Sequence, residues 1–285
     1  MKYIKLFFLL PVILISACED IMDMSFSGNE EKELVVEGSI TTDTTAHQVI
    51  LSRTGDFFDK DEQDMETGAE VSITDGEKTF LLYEAEPGVY LTDPDVYGEI
   101  GKTYTLNIRL EDGNQYSASE TISPLPEVDS IRQSDNYYHM VPPMEWFGYG
   151  YDILYYGPEP EGVGDCYLWN LYIDDILYTD TIFETAFTDD EFVDGNYIKD
   201  FEVFFVKDAD IHADSVKVNL VMYSISVEYY EFLIGLMLET KWRGSPWDGP
   251  PANVPSNISN GAKGYFRASD VKTSTMILRK LPRMK

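Results

Sequence analysis

After residue 33 the chain alternates hydrophobic and polar positions with a period of two. Leu34 to Ile40 is one apolar run and His47 to Arg53 another. Val71 and Ile73 alternate with Ser72 and Thr74, and Asp75-Gly76 follows as a hairpin signal. Phe80 and Leu82 open the return strand, and Pro87-Gly88 turns the chain into Val89-Tyr90-Leu91. Tyr104, Leu106, Ile108 and Leu110 alternate with Thr105, Asn107 and Arg109, before Asp112-Gly113 turns into Tyr116 to Ile122. Strand side chains point to opposite faces in turn, so this pattern makes half-buried strands. About seven strands in roughly ninety residues predict a β-sandwich of immunoglobulin-like or transthyretin-like type over residues 34–123.

Pro124-Leu125-Pro126 marks a boundary, since proline restricts itself and the residue before it. Residues 124–285 then read as a second β-rich domain. Strands are expected at Asp165 to Ile173, Ile176 to Phe183, Tyr197 to Val206, Ser215 to Ser224 and Thr273 to Arg279. Between the last two the period changes. Val227, Tyr230, Ile234, Met237 and Leu238 share one face at helical spacing, which predicts a helix near 226–241. Ser226 suits its cap and Glu228 its first turn. Phe232, Leu233 and Leu236 widen the apolar face, so the helix is expected to be buried on more than one side. Gly244 to Ser256, rich in Pro and Gly, reads as loop. The fold class is therefore mainly β, a sandwich followed by a β-rich domain with one buried α-helix.

The first residues follow another rule. Lys2 and Lys5 precede an apolar run from Phe7 to Ile15, interrupted by Pro11. That run is too short for a bilayer core of about 30 Å, which needs roughly 20 apolar residues. It suits an export signal. Ile15-Ser16-Ala17-Cys18 resembles the bacterial lipobox, in which the Cys is acylated and becomes the first mature residue. Residues 1–17 are then a signal peptide, and 18–33 a lipidated flexible tether to the outer membrane. The other reading is an ordinary signal cleaved near Ala17, with Cys18 left as a thiol. If Cys18 carries lipid, Cys166 has no partner for a disulfide. Its setting, Cys166-Tyr-Leu-Trp-Asn170, suits a buried inert thiol.

Charge narrows the partners. The chain carries 21 Lys+Arg against 51 Asp+Glu, a net charge of −30. Nucleic acid is disfavoured, because phosphate binding relies on Lys and Arg. An anionic membrane surface would repel the body, whereas cations or basic partners remain open. Solubility through mutual repulsion explains the same charge.

Candidate chemistry is thin. His47, His139 and His212 have no further His or Cys at metal-ligand spacing, so zinc has little support. No nucleophile elbow or phosphate loop occurs. Asp59, Asp61 and Asp64 place oxygen ligands as calcium loops do, but without the central Gly and spacing of an EF-hand, and a solvated loop is the better reading of the same residues. Asp189, Asp190, Asp194 and Asn196 could also hold calcium, or simply form a Gly-containing turn. Tyr137 to Tyr156 is dense in aromatics, including Trp146, Tyr149 and Tyr151. Such a segment either fills a domain junction or offers a ligand or protein contact, and the same choice applies to Trp242 and Trp247. Thr44, Ser130, Thr181 and Ser215 each follow an Asp in a setting that resembles a periplasmic O-glycosylation motif.

Four segments together resemble the DUF4249 family of Bacteroidetes lipoproteins. They are Leu34-Val-Val-Glu-Gly38; Asp93 to Thr105 with Pro94, Gly98, Gly101 and Tyr104; Asp189 to Asn196; and Pro250 to Phe266. Members are often encoded near TonB-dependent outer-membrane transporters. The resemblance implies an envelope location and a transporter partner, and it brings no catalytic residues or cofactor. The expectation is a non-catalytic envelope lipoprotein that assists such a transporter in nutrient uptake. A stand-alone surface protein that binds glycan or protein is the alternative, and a hydrolase the third. Small-molecule ligand and exposed membrane face stay open.

Overall fold

The computed structural model describes residues 32–55, 64–134, 138–141, 145–178, 181–241 and 254–280, with backbone alone at 138–141, 145–148 and 241. The alternating segments become strands because each can bury every second side chain. Leu34–Thr41 (β1), Gln48–Arg53 (β2), Glu70–Thr74 (β3), Thr79–Glu86 (β4), Val89–Leu91 (β5), Thr103–Arg109 (β6) and Gln115–Thr121 (β7) follow in order. In β6, Tyr104, Leu106 and Ile108 are buried while Asn107 and Arg109 face solvent. The expected seven strands are all present.

The later chain forms Ser130–Gln133 (β8), Tyr138–Val141 (β9), Glu145–Pro158 (β10), Cys166–Ile173 (β11), Ile176–Leu177 (β12) and Ala186–Asp189 (β13). Tyr197–Lys207 (β14), Ser215–Ile225 (β15), the helix Val227–Lys241 (α1), Lys263–Ser269 (β16) and Val271–Arg279 (β17) complete it. The protein is mainly β with one α-helix among the described residues.

One sheet of eight strands runs in the order β16-β1-β2-β5-β4-β3-β6-β7. Its pairs are antiparallel apart from β16, which lies parallel to β1. Here β16 crosses the boundary expected at residue 124. Gly264 makes that pairing close: its φ is +88° and a Cβ would stand 2.0 Å from the Val36 carbonyl oxygen. Ser259 N–H donates to the Ser117 carbonyl at 2.8 Å, and β16 also packs near β7. The sheet thus curls around one core that includes Val36, Ile40, Leu51, Ile73, Leu106 and Phe266.

A second core lies between the sheet β14-β10-β8 and the sheet β12-β11-β15-β17, which carries β13 on β11. Tyr151, Ile153 and Tyr155 of β10 meet Tyr167 and Leu171 of β11 and Val218 of β15 there. The other face of β11 and β15 supplies Cys166, Leu168 and Ile225 to a smaller cluster capped by Leu233 of α1.

Asp270 separates β16 from β17, so the chain passes from the first sheet to the second at this one residue. Its carboxylate accepts bonds from Thr42 Oγ1 at 2.8 Å, Leu125 N–H at 2.9 Å and Val271 N–H at 2.9 Å. Ser224 Oγ accepts the Asp270 N–H at 2.9 Å and donates to the Ser123 carbonyl at 2.6 Å.

Three expectations change. The helix is seated by Leu233, but Leu236 and Leu238 are exposed, so it rides on the surface with one row inserted rather than being enclosed. Ser226 does cap it, accepting Tyr229 N–H on Oγ at 3.2 Å. The strand expected from Ile176 to Phe183 shortens to β12, because Thr181 begins a turn whose carbonyl accepts the N–H groups of Glu184 and Thr185. The aromatic stretch contains a strand that was not among those expected. Residues 145–158 form β10, whose period is hidden because Tyr151 and Tyr155 are buried on one face while Asp152 and Tyr156 are buried on the other. No helix among the described residues is long and apolar enough to cross a membrane.

Candidate functional site

The loop after β10 and the loop after β13 are stitched together. Glu159 N–H donates to the Asn196 carbonyl at 2.8 Å, Gly195 N–H to Pro160 at 3.0 Å and Asp190 N–H to Asp165 at 3.0 Å. Side chains add to this. Asp194 Oδ1 accepts Gly162 N–H at 2.6 Å. Both oxygens of Asp190 accept Gly164 N–H, at 3.0 and 3.1 Å. Gly164 has φ +124°, a backbone region that excludes most side chains, so the donor can turn inward. The Asp190 carbonyl also closes a turn by accepting Val193 and Asp194 N–H.

This clasp gathers negative charge. Glu159, Asp165 and Asp190 each offer a carboxylate oxygen, and the three lie within 4.8 Å of one another. Asp190 is 1% exposed and Glu159 5%. Burial, then repulsion from Asp165, Asp190 and Asp194, pushes the Glu159 carboxyl above the usual range, opposed by the Tyr167 hydroxyl. Burial and the charges of Asp190 and Asp194 raise Asp165 as well.

Behind Glu159 lies a cavity of about 150 Å³, lined among others by Tyr155, Tyr167, Trp169, Ile198, Phe201 and Met222. Tyr167 donates to Glu159 Oε1 at 2.6 Å. Glu159 Oε2, Tyr155 Oη and Trp169 Nε1 are buried and have no partner among the described residues. Such orphan atoms are uncommon in folded proteins, because each loses its hydration without a replacement bond. The arrangement can hold a hard cation at the carboxylates and a small polar group in the cavity.

A wider groove of about 650 Å³ runs between α1 and the outer face of β1, β2 and β16. Tyr229, Phe232 and Leu236 form one wall and Ile50 and Tyr265 the other. Tyr229 meets Tyr265 edge-on at 4.9 Å between ring centres. Arg267 lies 4.5 Å above the Tyr223 ring, a cation–π contact at its end.

The expected site residues scatter. Cys18, Asp59, Asp61, Trp242 and Trp247 lie outside the described residues, and Trp146 lies on β10 with its side chain outside them. Tyr149 is exposed on β10. Tyr151 is corrected: it is fully buried and donates to Asp208 Oδ1 at 3.0 Å, so it serves the core and not a contact surface. Asp64 lies at the surface and its carbonyl accepts Arg53 N–H. Asp189 ends β13 outside the three-carboxylate group, while Asp194 borders that group. Thr44, Thr181 and Ser215 are exposed, and Ser130 is half-buried on β8. His47 is buried with Nε2 3.2 Å from the Val96 carbonyl, and His212 is exposed. Cys166 is a buried free thiol, pushed up to about 12 mainly by burial.

Glu159 and Asp165 were not anticipated. Nothing local in the Pro-Glu-Pro-Glu-Gly spelling of their loop ties it to Asp190. Three of the four family-like segments gain physical roles. Leu34 to Gly38 and Pro250 to Phe266 meet in the β1–β16 pairing, where Val36 sits opposite Gly264 and Gly38 opposite Phe266. Asn257 holds that edge, its side chain bonding both the N–H and the carbonyl of Phe266. Asp189 to Asn196 is one half of the acidic clasp.

No curated protein matches this chain. A family model described as a domain of unknown function, DUF4249, matches residues 19–275, nearly the whole described body and both halves of the clasp; the chain belongs to the DUF4249 family.

Proposed function

We propose that this chain is a non-catalytic lipoprotein of the bacterial outer membrane, tethered through Cys18 and acting as the partner of a TonB-dependent transporter in nutrient uptake. The observation that carries the proposal is a boundary. The family match starts at residue 19, immediately after the lipobox-like Ile15-Ser16-Ala17-Cys18. Cleavage and acylation at Cys18 would divide the chain there, with an export signal before it and the shared body after it. Acyl chains supply anchoring that the chain's charge opposes, since the net −30 of the full sequence is repelled by anionic headgroups. Mass spectrometry of the N-terminal peptide from native membranes is expected to show acyl chains on Cys18, lost in Cys18→Ala. Gentle solubilisation and pull-down should bring a transporter with it. A clean eluate without one would count strongly against the partnership.

The groove beside α1 favours a second reading, a stand-alone surface protein that binds glycan or protein. Its volume of about 650 Å³ is that of a ligand site. Glycan-array binding that disappears with Phe232→Ala, in a preparation free of transporter, would favour this reading over the first.

A further inference from the structure

We propose that the clasp formed by Glu159, Asp165 and Asp190 is a calcium site that locks the 159–165 loop to the 190–196 loop. The geometry comes first. Three carboxylate oxygens within 4.8 Å of one another fit around one ion, because two ligands on opposite sides of calcium are separated by about 4.8 Å, twice a bond of about 2.4 Å. Three backbone–backbone bonds and the bonds from Gly162 and Gly164 N–H to the Asp194 and Asp190 carboxylates link the loops, so the charges are held together whether or not an ion is bound.

The second observation is independent of the clustering. Glu159 is 95% buried, and its Oε2 accepts no hydrogen bond from any described residue. A proton shared with Asp165 or Asp190 would neutralise only one of the clustered charges, while Oε1 already receives the Tyr167 hydroxyl. A cation between the three carboxylates would offset their mutual repulsion and give the Glu159 carboxylate the partner that its Oε2 lacks. The donors are all hard oxygens, which suits calcium or magnesium and disfavours zinc and copper. Two loops of irregular shape supply them, and calcium tolerates irregular coordination while magnesium demands a near-ideal octahedron. The effect would reach the neighbouring cavity, because Glu159 forms part of its wall beside Tyr167 and Trp169. Calcium would thereby fix the mouth of that cavity. Unlike the transporter partnership, the site needs neither lipid nor a second protein.

The test uses the full chain purified in detergent, stripped with EDTA and titrated with calcium chloride. Calorimetry should show one site with a dissociation constant on the order of 10⁻⁵–10⁻³ M. The melting temperature should rise by about 5 °C at tenfold excess over that constant. Glu159→Gln and Asp165→Asn should each weaken binding at least about tenfold, whereas Asp64→Asn should leave it unchanged. Asp165 is only half-buried and its carboxylate accepts no hydrogen bond among the described residues, so Asp165→Asn remains decisive if Glu159→Gln does not fold. Absence of binding heat and of a thermal shift at about 10 mM calcium would overturn the proposal. So would a shift that survives in both variants, or one reproduced by magnesium or by an equal ionic strength of sodium chloride.

Discussion

Asp270 and Glu159 are both carboxylates and both 5% exposed, yet their surroundings differ. Asp270 stands where β16 gives way to β17, and its two oxygens receive a hydroxyl and two backbone N–H groups. Glu159 stands where β10 gives way to a loop. It receives one hydroxyl, faces three further carboxylates and leaves an oxygen without a donor. A buried charge must be compensated, by donors inside the protein or by something outside it. Asp270 is compensated internally, which is how a structural joint is built. Glu159 is not, and this is the pattern of a site that expects a ligand. Burial and residue type do not separate the two cases; the inventory of donors does.

The largest expected effect would test the joint. Asp270→Ala strands the Leu125 N–H and the Thr42 hydroxyl and should cost about 3–5 kcal/mol in urea unfolding. A loss below about 1 kcal/mol would mean that the two sheets are joined chiefly by apolar packing. Ser224→Ala removes the hydroxyl that links Asp270 N–H to the Ser123 carbonyl, and about 1–2 kcal/mol should follow. The opposite behaviour is expected at the clasp. Glu159→Gln without calcium should change stability by less than about 1 kcal/mol, or raise it, because it removes an uncompensated charge. A loss as large as that of Asp270→Ala would erase the contrast between the two carboxylates.

The smallest effect concerns His47, a buried polar group of the first core. Burial, opposed by the Val96 carbonyl, lowers its pKa below the ordinary 6.5. The unfolded chain therefore takes up the proton first as pH falls. The stability held in neutral His47 is complete above about pH 6.5 and declines as pH drops below it. Melting curves of His47→Gln should fall less steeply than wild type between about pH 7 and pH 5.

Much of the fold could be read from the chain. Tyr104 to Leu110 announces its strand because one face is core and the other solvent, so period and environment coincide. Ser226 announces the helix start for the same local reason. β10 escapes this logic. It is sandwiched between β8 and β14, both of its faces carry tyrosines, and alternation disappears. β16 escapes because its partner is β1, more than two hundred residues away, and its Gly264 reads as a turn. For the site, Asp189 to Asn196 was visible as an oxygen-rich turn, but its partners Glu159 and Asp165 were not.

The sequence by itself determined the mainly β character and the family, since each is written in local order and period. The tertiary structure decided which acid matters. It chose Asp190 over Asp189, because the end of β13 directs only the former to Gly164, and it brought Glu159 to it across β11. Convergence of like charges is a property of packing, and the distance along the chain carries no record of it.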